Sequence, residues 1–396
     1  MKKRIFTLIN KIERKILDDL DSVGFSTLAG GLSGILIFLN NHKMTNSGQD
    51  SSDVEDVIFS KIMASVEREE FHFSFYSGIS GIAWLVDYLQ TKDNLNSDEP
   101  LQDYNREIDE YILSFLNQDK WLDEYELMTG VVGLAIYGCA RSNFELGRII
   151  AEKAVGHILK LMEIDENGVY WITKSTSRYH SRNNKGDEIN LGLAHGMVGV
   201  VGVLNLAYKK NILTKSIKPV LLKACHWLLA QRNINDFESY FSYQNQTRSS
   251  SRLAWCYGDL SNAYVLYRAS TTLKEQSIKE QALEIALSSC SRKMDDSGVI
   301  DAGFCHGSSG LMFIYHQLYI HTQEAEFAKA MNYWLEQTIE LGEKGPDLKG
   351  LERFNGMIGE YDECLGLLEG LAGIGLSLLA VKQDEAPDWA DIFLLG

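Results

Sequence analysis

The sequence predicts an all-α protein of repeated helical hairpins in two layers, and three observations carry that prediction. A Gly-x-x-Gly-type turn opens an apolar run seven times, at Gly31, Gly78, Gly130, Gly196, Gly258, Gly307 and Gly370. The intervals between them, 47 to 66 residues, suit one hairpin plus its loops per unit, the mark of a repeat architecture. Only four prolines occur in 396 residues, as expected of a chain that is mostly helix, since proline removes a backbone donor and breaks helix interiors.

The elements follow in order. In MKKRIFTLINKIERKILDDL, the residues Ile5, Leu8, Ile9, Ile12, Ile16 and Leu20 fall at helical spacing, which predicts an amphipathic docking helix. Lys11, Glu13, Arg14 and Lys15 interrupt any signal-type apolar stretch. Each glycine pair then starts a run such as GLSGILIFL, GISGIAWLVDYL, GVVGLAIYG, GMVGVVGVLNLAY, GSSGLMFIYHQL or GLAGIGLSLLAV. These runs are apolar nearly all round, so they are expected to be inner helices packed on both sides. Glycine at their heads would let neighbouring backbones crowd the axis. The stretches SIKPVLLKACHWLLAQ and SIKEQALEIALSSCSR mix charges with a single apolar stripe and are assigned to the outer layer.

Three segments read as irregular. Residues 41–56 are polar and loop-like. Residues 164–190 contain GVYWITK, of strand-like composition, followed by a long polar tract. Residues 232–251 lead into Cys256 and are expected to overhang one end of the hairpins. The most apolar stretch, Leu365 to Val381, carries Glu369 and several small residues, so it reads as a buried inner helix rather than a membrane span. Nothing marks a linker, and a single domain over 1–396 is expected, with 164–190 an excursion within it.

Charge narrows the partners. With 38 basic and 54 acidic residues the net charge is −16, which argues against nucleic acid or anionic lipid and suits a neutral or cationic peptide. The six cysteines show no disulfide-framework spacing, so reduced thiols and a cytoplasmic location are expected.

Alignment on the first glycine sharpens the site. The residue two before it reads Ala29, Tyr76, Met128, Ala194, Cys256, Cys305 and Leu368; the next reads Gly30, Ser77, Thr129, His195, Tyr257, His306 and Glu369. In a closed ring of hairpins equivalent positions lie at equal heights, so these side chains should converge at one end of the central axis. Two cysteines and two histidines there suggest a metal and acid–base site. No C-x-x-C spacing selects Cys256, Cys305 and His306. What singles them out is that Cys256 and Cys305 share a position in consecutive units, with His306 adjacent. Cys139, Cys225, Cys290 and Cys364 fit core roles, and His42, His157, His180, His226, His316 and His321 fit surface or helix-face roles. His195 suits either an acid–base group or a satisfied structural histidine.

Four stretches then bring a resemblance: LAHG at 193–196, RLAWCYG at 252–258, CHG at 305–307 and LLEGLAGIGLSLL at 367–379. Jointly, in this order and spacing, they resemble the lanthipeptide (lantibiotic) cyclases of the LanC type over nearly the whole length. The resemblance implies an α/α toroid, a double-layered barrel of seven inner and seven outer helices, with residues 164–190 as the place for the small β-containing extension that some members carry. It implies a cyclase that adds peptide cysteine thiols to dehydroalanine or dehydrobutyrine, forming (methyl)lanthionine thioether rings in a lantibiotic precursor. One Zn2+ per chain is implied, held by Cys256, Cys305 and His306 with water on the fourth position. His195 matches the catalytic histidine and Arg252 the arginine four residues before the first zinc cysteine. YELMTG places Glu126 where the family usually has Asp, one methylene longer, so a hydrogen-bonding role is expected to survive. The fifth turn, GDLS, has Ser261 where a second glycine is common, with little expected consequence.

The implied chemistry suits these residue types. A free thiol with a pKa of about 8.5 is mostly protonated at neutral pH, and zinc with an open position can bind and deprotonate it. Two protein thiolates already neutralise the metal's charge, which suits alkyl transfer to sulfur rather than hydroxide formation. His195 would take the thiol proton or protonate the enolate left by addition. Arg252 would orient Glu126 or stabilise the enolate oxygen. Tyr257 would hydrogen-bond near the zinc or simply pack. The implied partners are a dehydrated precursor peptide with leader and core, a dehydratase and an exporter, with membrane association only through such partners. Two alternatives stay open: a glutathione-adding LanC-like or other thiol-alkylating zinc enzyme, and a non-catalytic peptide-binding scaffold with structural zinc. Three good ligands rather than four favour an open site over a structural one.

Overall fold

In a computed structural model every one of the seven glycine turns hands the chain straight to a helix. The structure describes residues 1–45, 52–93, 101–180, 186–233, 238–245 and 249–396. Helix α1 (Lys2–Asp18) precedes the first turn. The chain then alternates between α2 (Leu32–Thr45) and α3 (Ser52–Arg68), α4 (Ile79–Asp93) and α5 (Arg106–Leu116), and α6 (Val131–Ala140) and α7 (Glu145–Lys160). After an antiparallel hairpin of β1 (Glu163–Asp165) and β2 (Gly168–Tyr170) come α8 (Met197–Lys209) and α9 (Thr214–Ala230), then α10 (Asp259–Leu273) and α11 (Gln276–Ser289). The last hairpin is α12 (Ser308–Thr322) and α13 (Ala325–Glu343), followed by β3 (Arg353–Asn355), β4 (Glu360–Asp362) and α14 (Leu371–Ala380).

The helices after the turns are the inner helices predicted from their all-round apolar sequence. Helix α6 is buried from Val131 to Cys139, and α14 along its whole length. The intervening helices bury one stripe each; α9 does so through Ile217, Leu221, Ala224, Cys225, Trp227, Leu228 and Leu229. Helix α1 is amphipathic as expected, with Ile5, Leu8, Ile9, Ile12 and Ile16 buried. Among the described residues no helix is long and apolar enough to cross a membrane.

The turns share a closure that explains their glycines. The amide after the glycine donates to the carbonyl seven residues earlier: Leu32 to Phe25 (2.9 Å), Ile79 to His72 (2.9 Å), Val131 to Glu124 (3.2 Å), Met197 to Asn190 (2.9 Å), Ser308 to Asp301 (3.0 Å) and Leu371 to Cys364 (2.9 Å). That bond folds the loop back onto the glycine. A Cβ at Gly130 would meet the Glu124 carbonyl and lie 2.6 Å from the Glu126 amide. The crowding that excludes a side chain is therefore largely the loop's own backbone, more than the neighbouring helices the sequence suggested. The fifth turn is built differently: Gly258 has φ of 101°, in the left-handed region, against the Arg252 carbonyl. Ser261 is accommodated there, its hydroxyl donating to the Gly258 carbonyl at 3.2 Å.

The chain divides into two compact units, residues 1–71 with 290–388 and residues 72–289 with 389–396. In the first, α2 and α12 both pack on α14, α3 covers α2, α13 covers α12, and α1 lies on α13 and α14. In the second, α4, α6, α8 and α10 pack in sequence, each with its following helix outside it, and β2 lies on α9. A buried ionic cluster belongs to the second unit. Arg141 pairs with Asp87, with Asp103 at 2.6 Å and with Asp109 at 2.8 Å.

Several sequence expectations are refined. The loop assigned to 41–56 is shorter, because α2 runs to Thr45 and α3 starts at Ser52; residues 46–51 lie outside the described residues. Within 164–190, β2 and a Thr173–Glu188 bridge supply the expected β structure, while residues 181–185 lie outside the described residues. Trp171 is fully buried there, its indole N–H donating to the Ile158 carbonyl at 2.8 Å. The hairpin β3–β4 was not foreseen. The described parts of 232–251 do not overhang. Ser239, Phe241, Ser242 and Ser251 are buried, because the Asp259 carboxylate at the head of α10 accepts the Tyr240 and Phe241 amides, both at 2.9 Å. Residues 234–237 and 246–248 lie outside the described residues. Of the histidines, His42, His157 and His316 take buried helix-face positions, and His42 faces Glu13 at 3.0 Å. Cys139 and Cys225 are core residues as expected, whereas Cys290 and Cys364 are only partly buried.

Candidate active site

The aligned register reappears as backbone hydrogen bonds from turn to turn. In the second unit the Tyr76 amide donates to Met128 (3.3 Å), Leu127 to Ala194 (3.2 Å), and Leu193 and Ala194 both to Cys256 (2.9 and 3.2 Å). In the first unit Cys305 donates to Leu368 (2.7 Å), and Leu367 and Leu368 donate to Ala29 (2.9 and 3.0 Å). Every acceptor sits two residues before its turn glycine. Within each unit the chemistry-bearing positions are thus fixed by main chain, not by flexible side chains.

Glu126 and His195 come together on adjacent turns. The carboxylate is buried, and its Oε2 lies 2.9 Å from His195 Nδ1. Oε2 also accepts the Met128 amide at 2.9 Å, while Oε1 accepts the Thr129 amide at 2.7 Å and the Thr129 hydroxyl at 2.8 Å. Three local donors orient the carboxylate. The tautomer with its proton on Nδ1 would donate to Glu126 and leave the lone pair on Nε2. The His195 side chain is partly exposed. The extra methylene of Glu126 does not prevent the pairing; the turn's amides take up the carboxylate.

Arg252 and Tyr257 flank the Cys256 turn. The Arg252 amide donates to the Tyr243 hydroxyl at 3.1 Å. The Tyr257 hydroxyl accepts the Asn190 amide at 2.8 Å, and its ring presses on Gly192, where a Cβ would lie 2.5 Å away. The ring centroid is 6.4 Å from that of His195. Burial pushes the Tyr257 hydroxyl well above the ordinary phenol range, keeping it neutral. These contacts favour the packing alternative for Tyr257.

Around His306 the sequence had indicated only the neighbouring cysteine. Nε2 lies 3.8 Å from Asp301 Oδ2 and 3.9 Å from Glu369 Oε1. Asp301 is buried and accepts the Gly303 and Phe354 amides, both at 3.1 Å. Glu369 is held by Arg353 at 2.6 Å, which also bonds Asp362 at 2.7 Å. Cys305 and His306 are neighbours on the sixth turn, in the first unit, and Cys256 sits on the fifth turn, in the second unit. Two thiols and an imidazole are a donor set suited to zinc, so the residues present fit that ion.

Sequence reading missed Tyr179, whose ring stacks on His195 with centroids 3.8 Å apart and planes 17° apart. It also missed Asn190, Asp301 and Arg353. Asn190 and Asp301 each lie six residues before a turn glycine, where the carbonyl closes the loop, whereas Tyr179 and Arg353 hold no repeated position.

The nisin biosynthesis protein NisC of Lactococcus lactis subsp. lactis is 23% identical over 323 residues, covering 76% of this chain and 75% of its own. The solved structure of a nisin cyclase superposes with a TM-score of 0.74 at 21% identity, covering 100% of this chain and 97% of that one. A sugar epimerase from a ruminal bacterium matches at a TM-score of 0.50 and 12% identity, covering 96% of this chain and 100% of that one. The likeness to nisin cyclase shows the fold expected from the sequence, an α/α toroid. Residues 22–394 match the family described as lanthionine synthetase C-like protein, and the chain belongs to that family.

Proposed function

We propose that the protein is a zinc-dependent lanthionine cyclase acting in the cytoplasm on a dehydrated precursor peptide. The observation that carries this reading is the buried Glu126 carboxylate bonded to His195 Nδ1, on a turn tied by backbone to Cys256. Cys256, Cys305 and His306 would hold the ion, which supplies Lewis acidity that lowers the pKa of a substrate thiol. His195 Nε2 accepts the thiol proton, while Glu126 stabilises the imidazolium that forms. The sulfur lone pair makes the new S–C bond at the β-carbon of the dehydroamino acid, and the C=C pair moves toward the adjoining carbonyl as an enolate. Nε2 then returns a proton to the α-carbon. One S–H and one C=C π bond are lost, one S–C and one C–H bond are gained, and no redox partner is needed. Arg252, permanently charged, offers its guanidinium to the enolate oxygen. Tyr257 holds the Asn190–Gly192 loop in place beneath His195. The whole chain acts as one cyclase domain; leader recognition, a dehydratase and an exporter belong to the same reading.

A paired experiment tests it against the glutathione-adding alternative. One peptide carries dehydroalanine and cysteine; a second carries dehydroalanine alone and is offered with glutathione. A cyclase removes the free thiol of the first at unchanged mass and leaves the second unmodified. Enzyme-dependent gain of glutathione mass on the second, with the first untouched, contradicts the proposal. Inertness toward both supports a binding scaffold.

A further inference from the structure

We infer that Tyr179 is a positioning residue that fixes the plane of the His195 ring, so that Nε2, whose N–H lies in that plane, delivers its proton along one direction. The inference rests on the cyclase reading above and concerns the configuration of the new α-carbon centre. His195 is restrained through Nδ1 by one hydrogen bond, to Glu126. A single bond in the ring plane leaves rotation about that direction open, since the terminal torsion of histidine is broad. The Tyr179 ring supplies a restraint perpendicular to it, stacked at 3.8 Å and 17°.

Tyr179 is itself held against the third turn. On that turn the Thr129 hydroxyl donates to Glu126 Oε1 at 2.8 Å. The Tyr179 amide donates to Ser177 Oγ at 3.2 Å, and that hydroxyl donates to Glu124 Oε2 at 2.8 Å. Six residues before Tyr179, Thr173 pairs with Glu188 in both directions, at 2.8 and 3.0 Å, and its hydroxyl lies 3.2 Å from the Tyr125 hydroxyl. Glu124, Tyr125, Glu126 and Thr129 belong to one turn, so the loop bearing Tyr179 and the carboxylate bearing His195 share a foundation. The imidazole is clamped along its edge by Glu126 and across its face by Tyr179. Thioether formation creates a stereocentre when the α-carbon is protonated, and a ring with one fixed Nε2 direction protonates the enolate from one side.

The test compares wild type with Tyr179→Phe, which keeps the aromatic face and loses the hydroxyl, and with Tyr179→Leu and Tyr179→Met, which keep bulk without the face. The readouts are kcat, KM, bound zinc, and the α-carbon configuration of the thioether after hydrolysis and chiral chromatography, all corrected for the enzyme-free reaction. Assays run below the melting temperature of every variant. Tyr179→Phe is expected to retain wild-type stereochemistry. The Leu and Met variants should lose about 10- to 100-fold in kcat at similar KM and full zinc content, with a mixed α-carbon configuration. Leu and Met variants that match wild type in rate and configuration overturn the inference while leaving the cyclase reading intact. So does a rate loss with undiminished stereochemical purity, which would mark a merely structural role. A wild-type protein that forms no rings overturns the cyclase reading, and the inference with it.

Discussion

Glu126 shows how a small change is absorbed at the level of single residues. The longer carboxylate still reaches His195 because Met128 and Thr129 donate three hydrogen bonds that hold it in place. Glu126→Gln would turn an N–H toward a donor that now meets oxygen, disturbing the turn and removing the charge that supports an imidazolium. Cyclisation should fall by about 10²–10⁴-fold, as it should in His195→Asn, with zinc content near wild type in both. Metal analysis beside the activity assay checks this, and zinc loss in His195→Asn would make His195 a ligand. Cysteine reactivity offers a second check. Burial pushes the Cys139 and Cys225 thiols up to about 12, so at pH 7 both stay protonated and should resist alkylation until the protein unfolds. Peptide mapping of native labelling that found either one modified early would contradict their core placement. His195, Cys256, Cys305 and His306 were legible in the sequence because each occupies a repeated position. Tyr179 was not, since it arrives from an irregular loop at no fixed distance from any glycine.

Among elements, the turns carry the most information. Six are closed by the same seven-residue hydrogen bond, and the exception holds Gly258 at φ 101° directly after Cys256 and Tyr257. Gly258→Ala would place a Cβ against the Arg252 carbonyl in a backbone region open to little but glycine. A cost of roughly 1–3 kcal/mol is expected. Chemical denaturation should show it, together with weakened zinc binding, while Ser261→Gly stays close to wild type. An unperturbed Gly258→Ala would mean the turn can relax into the common form. The inner helices and the outer stripes were legible because apolar periodicity over ten or more residues has no competing explanation. The ends of 41–56 were not, because polar residues at helix termini resemble loop residues. The β3–β4 hairpin escaped notice because its strands are three residues each, too short for alternation to register.

For the whole molecule, the seven inner helices make the fold independent of one ion. Chelation should strip the metal and abolish cyclisation while helical circular dichroism is largely retained; collapse of the spectrum would indicate a structural zinc instead. The net charge of −16 implies that a cationic peptide binds more weakly as salt rises, an effect confined to solvent-exposed contacts by screening.

In the proposed reaction His195, paired with Glu126, and a zinc held by Cys256, Cys305 and His306 speed and direct thiol addition within one peptide. The most direct test is the time course of ring formation on a dehydrated, cysteine-bearing precursor, followed by thiol labelling and parent mass, with the ring's configuration assigned at the end. The account predicts loss of labels at constant mass, faster than without protein, giving one stereoisomer, and abolished in Cys256→Ala. A product mixture identical to the enzyme-free one, formed at the enzyme-free rate, would contradict it.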